Sequence, residues 1–293
     1  MVASDGRAAE KQTRVVVTRF APAPTGYLHL GHVVNALHVW EIARQRHGRV
    51  LLRIEDHDRQ RSRPEYEGAI LEDLYWLGFK ADGPLVRQSE RDPIYRAALR
   101  RLVDQGLVYG CGCSRADIVA AAARRERADA SASELFYPGT CRERGIPLTD
   151  GVGWRLRMEP GVEHFDDGLL DSQSQDPSEQ CGDLLLRDRL GNWTYQFAVT
   201  VDDFDQGVTD VIRGTDLLES TGRQIRLGRL LGRPSPARFW HHPLVMKAAT
   251  EKLSKSDGDT GVRDLRAAGW SADDVLSRAR EQVEMRFTEA RNR

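Results

Sequence analysis

Arg19-Phe20-Ala21-Pro22-Ala23-Pro24-Thr25-Gly26-Tyr27-Leu28-His29-Leu30-Gly31-His32 is the stretch that decides the fold. Val15-Val16-Val17-Thr18 before it is a short β-branched run, which reads as a buried strand. After it Val33, Ala36, Leu37 and Trp40 recur at helical spacing, so a helix is expected from near Gly31. Pro22, Pro24 and Gly26 fit neither element, and they make the stretch a strand-to-helix crossover loop. Such a loop aims a helix N-terminus, with its free N–H groups and partial positive charge, at whatever sits above the sheet. Phosphate is the natural occupant. His29 and His32 would donate to its oxygens, and Gly31 between them would let a nucleotide approach the backbone. The same spacing also fits two polar residues at a helix start, or two metal ligands that lack a third.

Working outward, Arg49-Val50-Leu51-Leu52-Arg53-Ile54 reads as the second strand, delivering Glu55, Asp56 and Asp58 to a ligand-binding strand end. Pro64 and the Ser89–Pro93 stretch start two further helices. From Leu107 the character changes to a cysteine knuckle, an Ala-rich helix (Ile118 to Ala123) and a polar stretch from Arg124 to Ser133. Gly151 to Ser178 reads as irregular apart from a strand at Trp154 to Met158. Leu184 to Tyr195 reads as a hairpin returning to the main sheet. A helix over Phe197–Phe204, a strand over Val208–Arg213 and a helix over Ser220–Leu231 follow. Strands at Arg238–Trp240 and Leu244–Met246 are expected to close the sheet.

The 293 residues suffice for one large domain or two. Apolar and charged fractions of 40% and 30% are those of an ordinary globular protein, and a net charge of -1 argues against a nonspecific polyanion binder. No apolar run is long enough to span a membrane, and no signal peptide is evident. Four cysteines, three of them clustered, suit a reducing compartment and a metal site, so a cytoplasmic enzyme is expected.

Lys252-Leu253-Ser254-Lys255-Ser256, near the other end of the chain, is a lysine-serine loop suited to closing over a triphosphate. Alone it would read as a solvated loop. Paired with the Arg19–His32 stretch, it resembles the two signature sequences of the class I aminoacyl-tRNA synthetases. Arg19–Gly26, Leu52-Arg53-Ile54-Glu55-Asp56 and Val208-Thr209-Asp210-Val211-Ile212-Arg213-Gly214 resemble the glutamyl-tRNA synthetase group in particular, in order from about Arg14 to Ser256. Only 37 residues follow Ser256, positions 257 to 293. A short C-terminal end, with Cys111-Gly112-Cys113 and Tyr137…Cys141, resembles the glutamyl-Q tRNA(Asp) synthetases, paralogues that glutamylate queuosine in a tRNA. No anticodon-binding domain is therefore expected.

The resemblance implies an α/β class I fold: a doubly wound, Rossmann-like parallel sheet split by a zinc-bearing insertion. The expected organisation is a disordered tail over 1–13, half-domains over 14–106 and 191–260, the insertion over 107–190, and a short helical segment over 261–293. It also implies roles for individual residues. Arg19, Phe20, Ala21, Pro22, Ala23, Glu55, Tyr195 and Arg213 would bind L-glutamate. Arginine suits a carboxylate because its planar fork meets both oxygens. Ala23 stands where the family usually has serine. By spacing alone, Arg19, Glu55 and Arg213 would fit a surface or structural ion-pair set better, and it is the resemblance that reverses this. His29, Gly31, His32 and Lys255 would bind ATP, with His29, His32, Lys252 and Lys255 catalytic and Mg²⁺ accompanying the nucleotide. Cys111, Cys113 and Cys141 are three soft ligands suited to tetrahedral Zn²⁺. The resemblance makes Tyr137 the fourth, whereas Cys181 and His164 are better ligands by type. Polar neighbours such as Ser114 and Arg142 argue against ordinary buried cysteines.

The partners implied are L-glutamate, ATP and queuosine-bearing tRNA(Asp), with the chain a monomer. A minimal glutamyl-tRNA synthetase, transfer to a non-tRNA acceptor, a nucleotidylyltransferase and a non-catalytic tRNA-binding relic are the competing functions. Arg213 counts against the nucleotidylyltransferase, and the intact histidines and lysines count against the relic.

Overall fold

A computed structural model of the chain describes residues 15–123, 135–248, 251–252 and 261–291. It opens with β1 (Val17–Phe20), the crossover loop and α1 (Leu30–Gln45), followed by β2 (Arg49–Ile54), α2 (Pro64–Trp76) and β3 (Val86–Arg87). These form a parallel β1–β2–β3 sheet, with Val17 opposite Arg49 and Ile54 opposite Arg87. α1 buries Val33, Val34, Ala36, Val39 and Ala43, the apolar stripe that its sequence spacing dictates. Pro64 occupies the first turn of α2, where its missing N–H costs nothing.

α3 (Asp92–Asp104) leads to β4 (Val108–Cys111), α4 (Arg115–Ala123) and β5 (Gly153–Leu156). The chain continues through β6 (Glu163–Asp167), β7 (Asp171–Gln175), α5 (Pro177–Gln180) and β8 (Leu184–Arg187). Two expectations fail here. The segment read as irregular contains the β6–β7 hairpin, in which Phe165 is the one apolar residue, between buried Glu163 and Asp167, so the strands carry no apolar period. The segment read as a hairpin returning to the main sheet instead lays β8 on β5, in an antiparallel β4–β5–β8 sheet. Only one bridge, Arg187 to Trp193, marks its return arm.

The chain continues with α6 (Tyr195–Asp205), β9 (Asp210–Gly214), α7 (Thr221–Leu230) and β10 (Arg238–His242). β9 and β10 run parallel, β6 joins the far side of β10, and antiparallel β7 forms the edge. β9 lies beside β1, and the Thr209 N–H donates to the Val17 carbonyl at 2.8 Å. β10, ending at His242, joins the sheet between β9 and β6. The expected Leu244–Met246 strand does not: β11 (Met246–Ala248) turns back on β12 (Glu251–Lys252) as a separate hairpin.

α8 (Val262–Ala267) and α9 (Ala272–Arg291) complete the described chain. Val262, Val275 and Ala279 bury into the same apolar cluster as Phe20, Val33, Val39 and Ile54, so this polar segment is bolted to α1. A second cluster, around Tyr95, Leu102, Leu186 and Phe197, joins α3, β8 and α6. No helix among the described residues is long and apolar enough to cross a membrane.

Candidate active site

The crossover loop is fixed from both ends. The Glu55 N–H donates to the Pro22 carbonyl and the Arg63 N–H to the Pro24 carbonyl, each at 3.0 Å. His29 then caps α1. Its Nδ1 accepts from the Gly31 N–H at 3.1 Å, and its own N–H donates to His32 Nδ1 at 3.1 Å, a reciprocal capping box built from imidazoles. Because each Nδ1 accepts, each ring carries its proton on Nε2. Gly31 is required for a reason the sequence did not show: a Cβ there would lie 2.9 Å from His29 Cε1, where the capping ring sits. The far end of the lysine-serine region returns to the same place. Gly261 bridges to His29, and the Val262 N–H donates to the Leu28 carbonyl at 2.9 Å. Lys252 lies in β12, opposite Met246, and Lys255 falls outside the described residues.

Beside the loop, β1, β2 and α6 converge on a buried charge cluster. Arg19 Nε donates to both oxygens of Asp203, at 3.0 and 3.2 Å. Arg53, fully buried, donates to Asp203 at 2.8 Å, to Glu55 at 3.0 Å and to the Gln206 side chain at 2.8 Å. Asp202 accepts from Arg91 at 2.6 Å, Gln88 at 2.7 Å and the Tyr95 hydroxyl at 2.8 Å. Burial works to raise Asp203, but Arg19 and Arg53 overcome it and hold that carboxyl below the usual range. Burial likewise works against the Arg53 charge, and Asp203, Glu55 and Asp202 overcome it.

Arg213, on β9, is different. It is 3% exposed and bonds neutral groups: His241 Nε2 at 3.0 Å, Gln224 Oε1 at 2.7 Å, Thr221 Oγ1 at 2.8 Å and the Tyr195 hydroxyl. No described carboxylate pairs with it, and burial, with repulsion from Arg19 in the same sense, lowers its pKa from the ordinary arginine value. The half-buried Tyr195 phenol faces Glu55, Arg213 and Arg19, and burial followed by Glu55 raises its pKa. Glu55, Arg213 and Arg19 all act on the Tyr195 phenol, so the four lie close together. Phe20 is buried in the core against Trp40, and Ala21, Pro22 and Ala23 follow it into the crossover loop. Arg53, Asp202, Asp203, His241 and Asp167 were missed in the sequence reading. The one available signal was an acidic pair, Asp202-Asp203, in the middle of an apolar helix.

The cysteines converge elsewhere. Sulfurs of Cys111, Cys113 and Cys141 all lie within 4.8 Å of one another, and none forms a disulfide. The Tyr137 hydroxyl sits among them, 3.2 Å from Cys111 Sγ and 3.9 Å from Cys113 Sγ. Tetrahedral zinc with 2.3 Å bonds places sulfurs roughly 3.7 Å apart, so a Cys113–Cys141 separation of 3.4 Å fits that ion. Cys111 and Cys141 are buried despite their polar neighbours, and burial pushes the Cys113 thiol up to about 12, a cost that a metal cation would reverse. The Arg155 guanidinium lies 3.7 Å over the Tyr137 ring, but burial, followed by the hydrogen bonds with Cys111 and Cys141, raises the Tyr137 pKa, so only a bound cation would draw off its proton. Cys181 is held apart: its thiol bonds the Pro177 and Gly182 carbonyls, while its backbone carbonyl accepts from Tyr137 N–H at 2.9 Å. Gly182 is obligatory here, with φ at 65° and the Tyr137 carbonyl 1.9 Å from any added Cβ. His164 is exposed on β6 and bonds Ser174.

A parallel sheet whose first crossover loop presents a His-capped helix N-terminus defines a class I synthetase nucleotide-binding domain. Residues 15–277 match the family described as tRNA synthetases class I (E and Q), catalytic domain. A Rhodobacter capsulatus glutamyl-Q tRNA(Asp) synthetase is 43% identical over 275 residues, 89% of this chain and 98% of that protein. One from Bordetella bronchiseptica is 49% identical over 244 residues, 83% of this chain and 75% of that protein. Among solved structures, a glutamate tRNA ligase from Elizabethkingia meningosepticum, in complex with its amino acid, superimposes with a TM-score of 0.71 at 30% identity. That likeness covers 84% of this chain and 53% of the ligase, so the chain spans about half the ligase's length. The chain belongs to the glutamyl-Q tRNA(Asp) synthetase family, a branch of the class I synthetases, and is a ligase of that type.

Proposed function

We propose that the chain activates L-glutamate with ATP and transfers it to the queuosine base of tRNA(Asp). The observation that carries this reading is Arg213, a buried cation ringed by neutral acceptors beside Glu55 and Tyr195. The glutamate side-chain carboxylate supplies the missing charge, while Glu55 and Tyr195 face the ammonium group. The α-carboxylate then attacks the ATP α-phosphorus, forming the mixed anhydride and expelling pyrophosphate. The Nε2–H groups of His29 and His32 stabilise charge developing on the phosphate oxygens. Lys252 and Lys255 serve the β and γ phosphates as their loop closes, and Mg²⁺ enters with ATP. A hydroxyl of the queuosine cyclopentenediol, chemically like the ribose diol of a tRNA 3′ end, takes the acyl group and AMP leaves. Zn²⁺ held by Cys111, Cys113, Cys141 and Tyr137 is structural.

Likeness to glutamate tRNA ligases favours a second reading, charging of a tRNA 3′ end. Coverage favours the first, because the chain matches nearly the whole Rhodobacter relative and about half of the ligase. Incubation with ¹⁴C-glutamate, ATP and either queuosine-bearing tRNA(Asp), unmodified tRNA(Asp) or tRNA(Glu) tests the proposal. Label on queuosine-bearing tRNA(Asp) alone supports it. Label on the 3′ end of tRNA(Glu) replaces it with the second reading.

A further inference from the structure

Behind Arg213, the buried His241 donates from Nδ1 to Asp167 Oδ2 at 2.6 Å and accepts the Arg213 Nε–H at Nε2. Asp167 Oδ1 is occupied by three backbone donors, the N–H groups of Leu169 at 2.9 Å, Leu170 at 3.1 Å and His241 at 3.2 Å. Asp167 is therefore held by amides and one imidazole, and spends its charge on no cation. The three groups come from three strand ends, β6, β9 and β10, which only the fold assembles. We propose that Asp167 and His241 are positioning residues for glutamate selection: Asp167 fixes the Nδ1–H tautomer of His241, whose bare Nε2 orients Arg213 while leaving its charge for the substrate carboxylate.

The chemistry leaves little latitude. A protonated His241 would turn a donor toward the Arg213 donor, and a carboxylate in its place would neutralise the guanidinium before glutamate arrived. The Thr221 hydroxyl agrees with this assignment. Its oxygen accepts from Arg213 at 2.8 Å, so its own proton is available to His241 Nε2 at 3.3 Å. Burial lowers the His241 pKa, in keeping with a neutral ring.

The inference rests on Arg213 as the carboxylate anchor, and Asp167→Asn tests it almost isosterically. The asparagine oxygen must stay on the three backbone donors, which turns its amide N–H toward His241 Nδ1. The ring proton is then driven to Nε2, against Arg213, as in other carboxylate–imidazole pairs. The Asp167→Asn protein should show His241 as the Nε2–H tautomer by ¹⁵N NMR. Its KM for glutamate in pyrophosphate exchange should rise about ten- to a hundred-fold with the KM for ATP unchanged. His241→Gln keeps an acceptor at the Nε2 position, so its KM should stay within about threefold. Adding Asp167→Asn to it should cost nothing more, because no tautomer remains to invert. His241→Leu, which removes the acceptor, should match the single Asp167→Asn change and stands in for it if that variant does not fold. An unchanged glutamate KM in Asp167→Asn, or the same penalty in the His241→Gln background, overturns the inference. A wild-type chain without glutamate-dependent exchange overturns the glutamate reading instead, and the ¹⁵N tautomer still decides the Asp167–His241 relation.

Discussion

Arg53 and Arg213 are both buried arginines on parallel strands, and they are treated in opposite ways. Arg53 is surrounded by Asp203, Glu55 and Asp202, so its charge is cancelled several times over within the chain. Arg213 has hydrogen bonds but no described counter-ion. Burying an unpaired charge costs several kcal/mol, and a fold tolerates it only where something else returns the energy. The first arginine is part of the scaffold that holds β1, β2 and α6 together. The second, in the function proposed above, is the place kept for the substrate carboxylate, at the expense of stability.

Substitution should separate the two. Arg53→Ala leaves buried acids without their cation and should cost about 3–5 kcal/mol of stability, read from urea midpoints. Arg213→Ala removes a charge with no partner and leaves only neutral acceptors, so its urea midpoint should match or exceed that of the wild type. Its glutamate-dependent pyrophosphate exchange should nonetheless fall by about two powers of ten or more, since the substrate carboxylate then lies unpaired. Equal destabilisation by both changes would erase the distinction between scaffold and vacancy.

The cysteine cluster sharpens the comparison with its signs reversed: Cys111, Cys113, Cys141 and Tyr137 are potential anions gathered where one metal cation would fit. One equivalent of zinc should copurify in the absence of chelator, and stripping it should loosen the β4–β5–β8 region and leave β1–β2–β3 intact by hydrogen exchange. Tyr137→Phe should weaken zinc retention by roughly ten- to a hundred-fold, while Cys181→Ser should retain it. The reverse result would make Cys181 the ligand.

The difference between Arg53 and Arg213 was not visible in the chain. Arg213 stood out through its motif, and Arg53 passed as one polar residue in an apolar strand. What distinguishes them is Asp203 on one side and His241 with Gln224 on the other, residues whose partners lie 150 and 28 positions away. The crossover loop and α1 were legible because their signals are local, namely proline, glycine and a 3.6-residue apolar stripe. The β6–β7 hairpin was illegible for the converse reason. Glu163, Asp167 and Gln175 are buried polar residues, held by contacts with α7 and β10 rather than by an apolar face. Asp167 falls on that hairpin, so the support for Arg213 disappeared with it. The hydroxyl among the cysteines was anticipated only through family resemblance, since ligand type alone favoured Cys181 and His164.

A third treatment of charge appears under α1, where a charge is kept from forming. His38 and His242 stack with ring centroids 4.5 Å apart and planes 10° apart, and His242 Nε2 lies 3.0 Å from the Asn35 side-chain oxygen. Burial, followed by repulsion from His242, holds His38 down to about 3, and burial lowers His242 as well. An unfolded histidine titrates near 6.5, so between pH 6.5 and 3 the unfolded chain binds the proton that the folded chain refuses. Stability from this pair is therefore fully present above pH 6.5 and is lost as pH falls, by at most about 1.4 kcal/mol per pH unit for each histidine. Carboxylates held low, such as Asp203, contribute in the same direction only below about pH 4. Between pH 6.5 and 4.5 Asp73, raised to about 6 by burial, titrates with the opposite sign, so the histidine contribution is read from the difference between variants. Urea midpoints measured across it should fall less steeply in His38→Gln than in the wild type, because glutamine has no proton to gain. Parallel curves would mean that His38 accepts its proton in the folded chain as readily as in the unfolded one, and that the stack tolerates a charge after all.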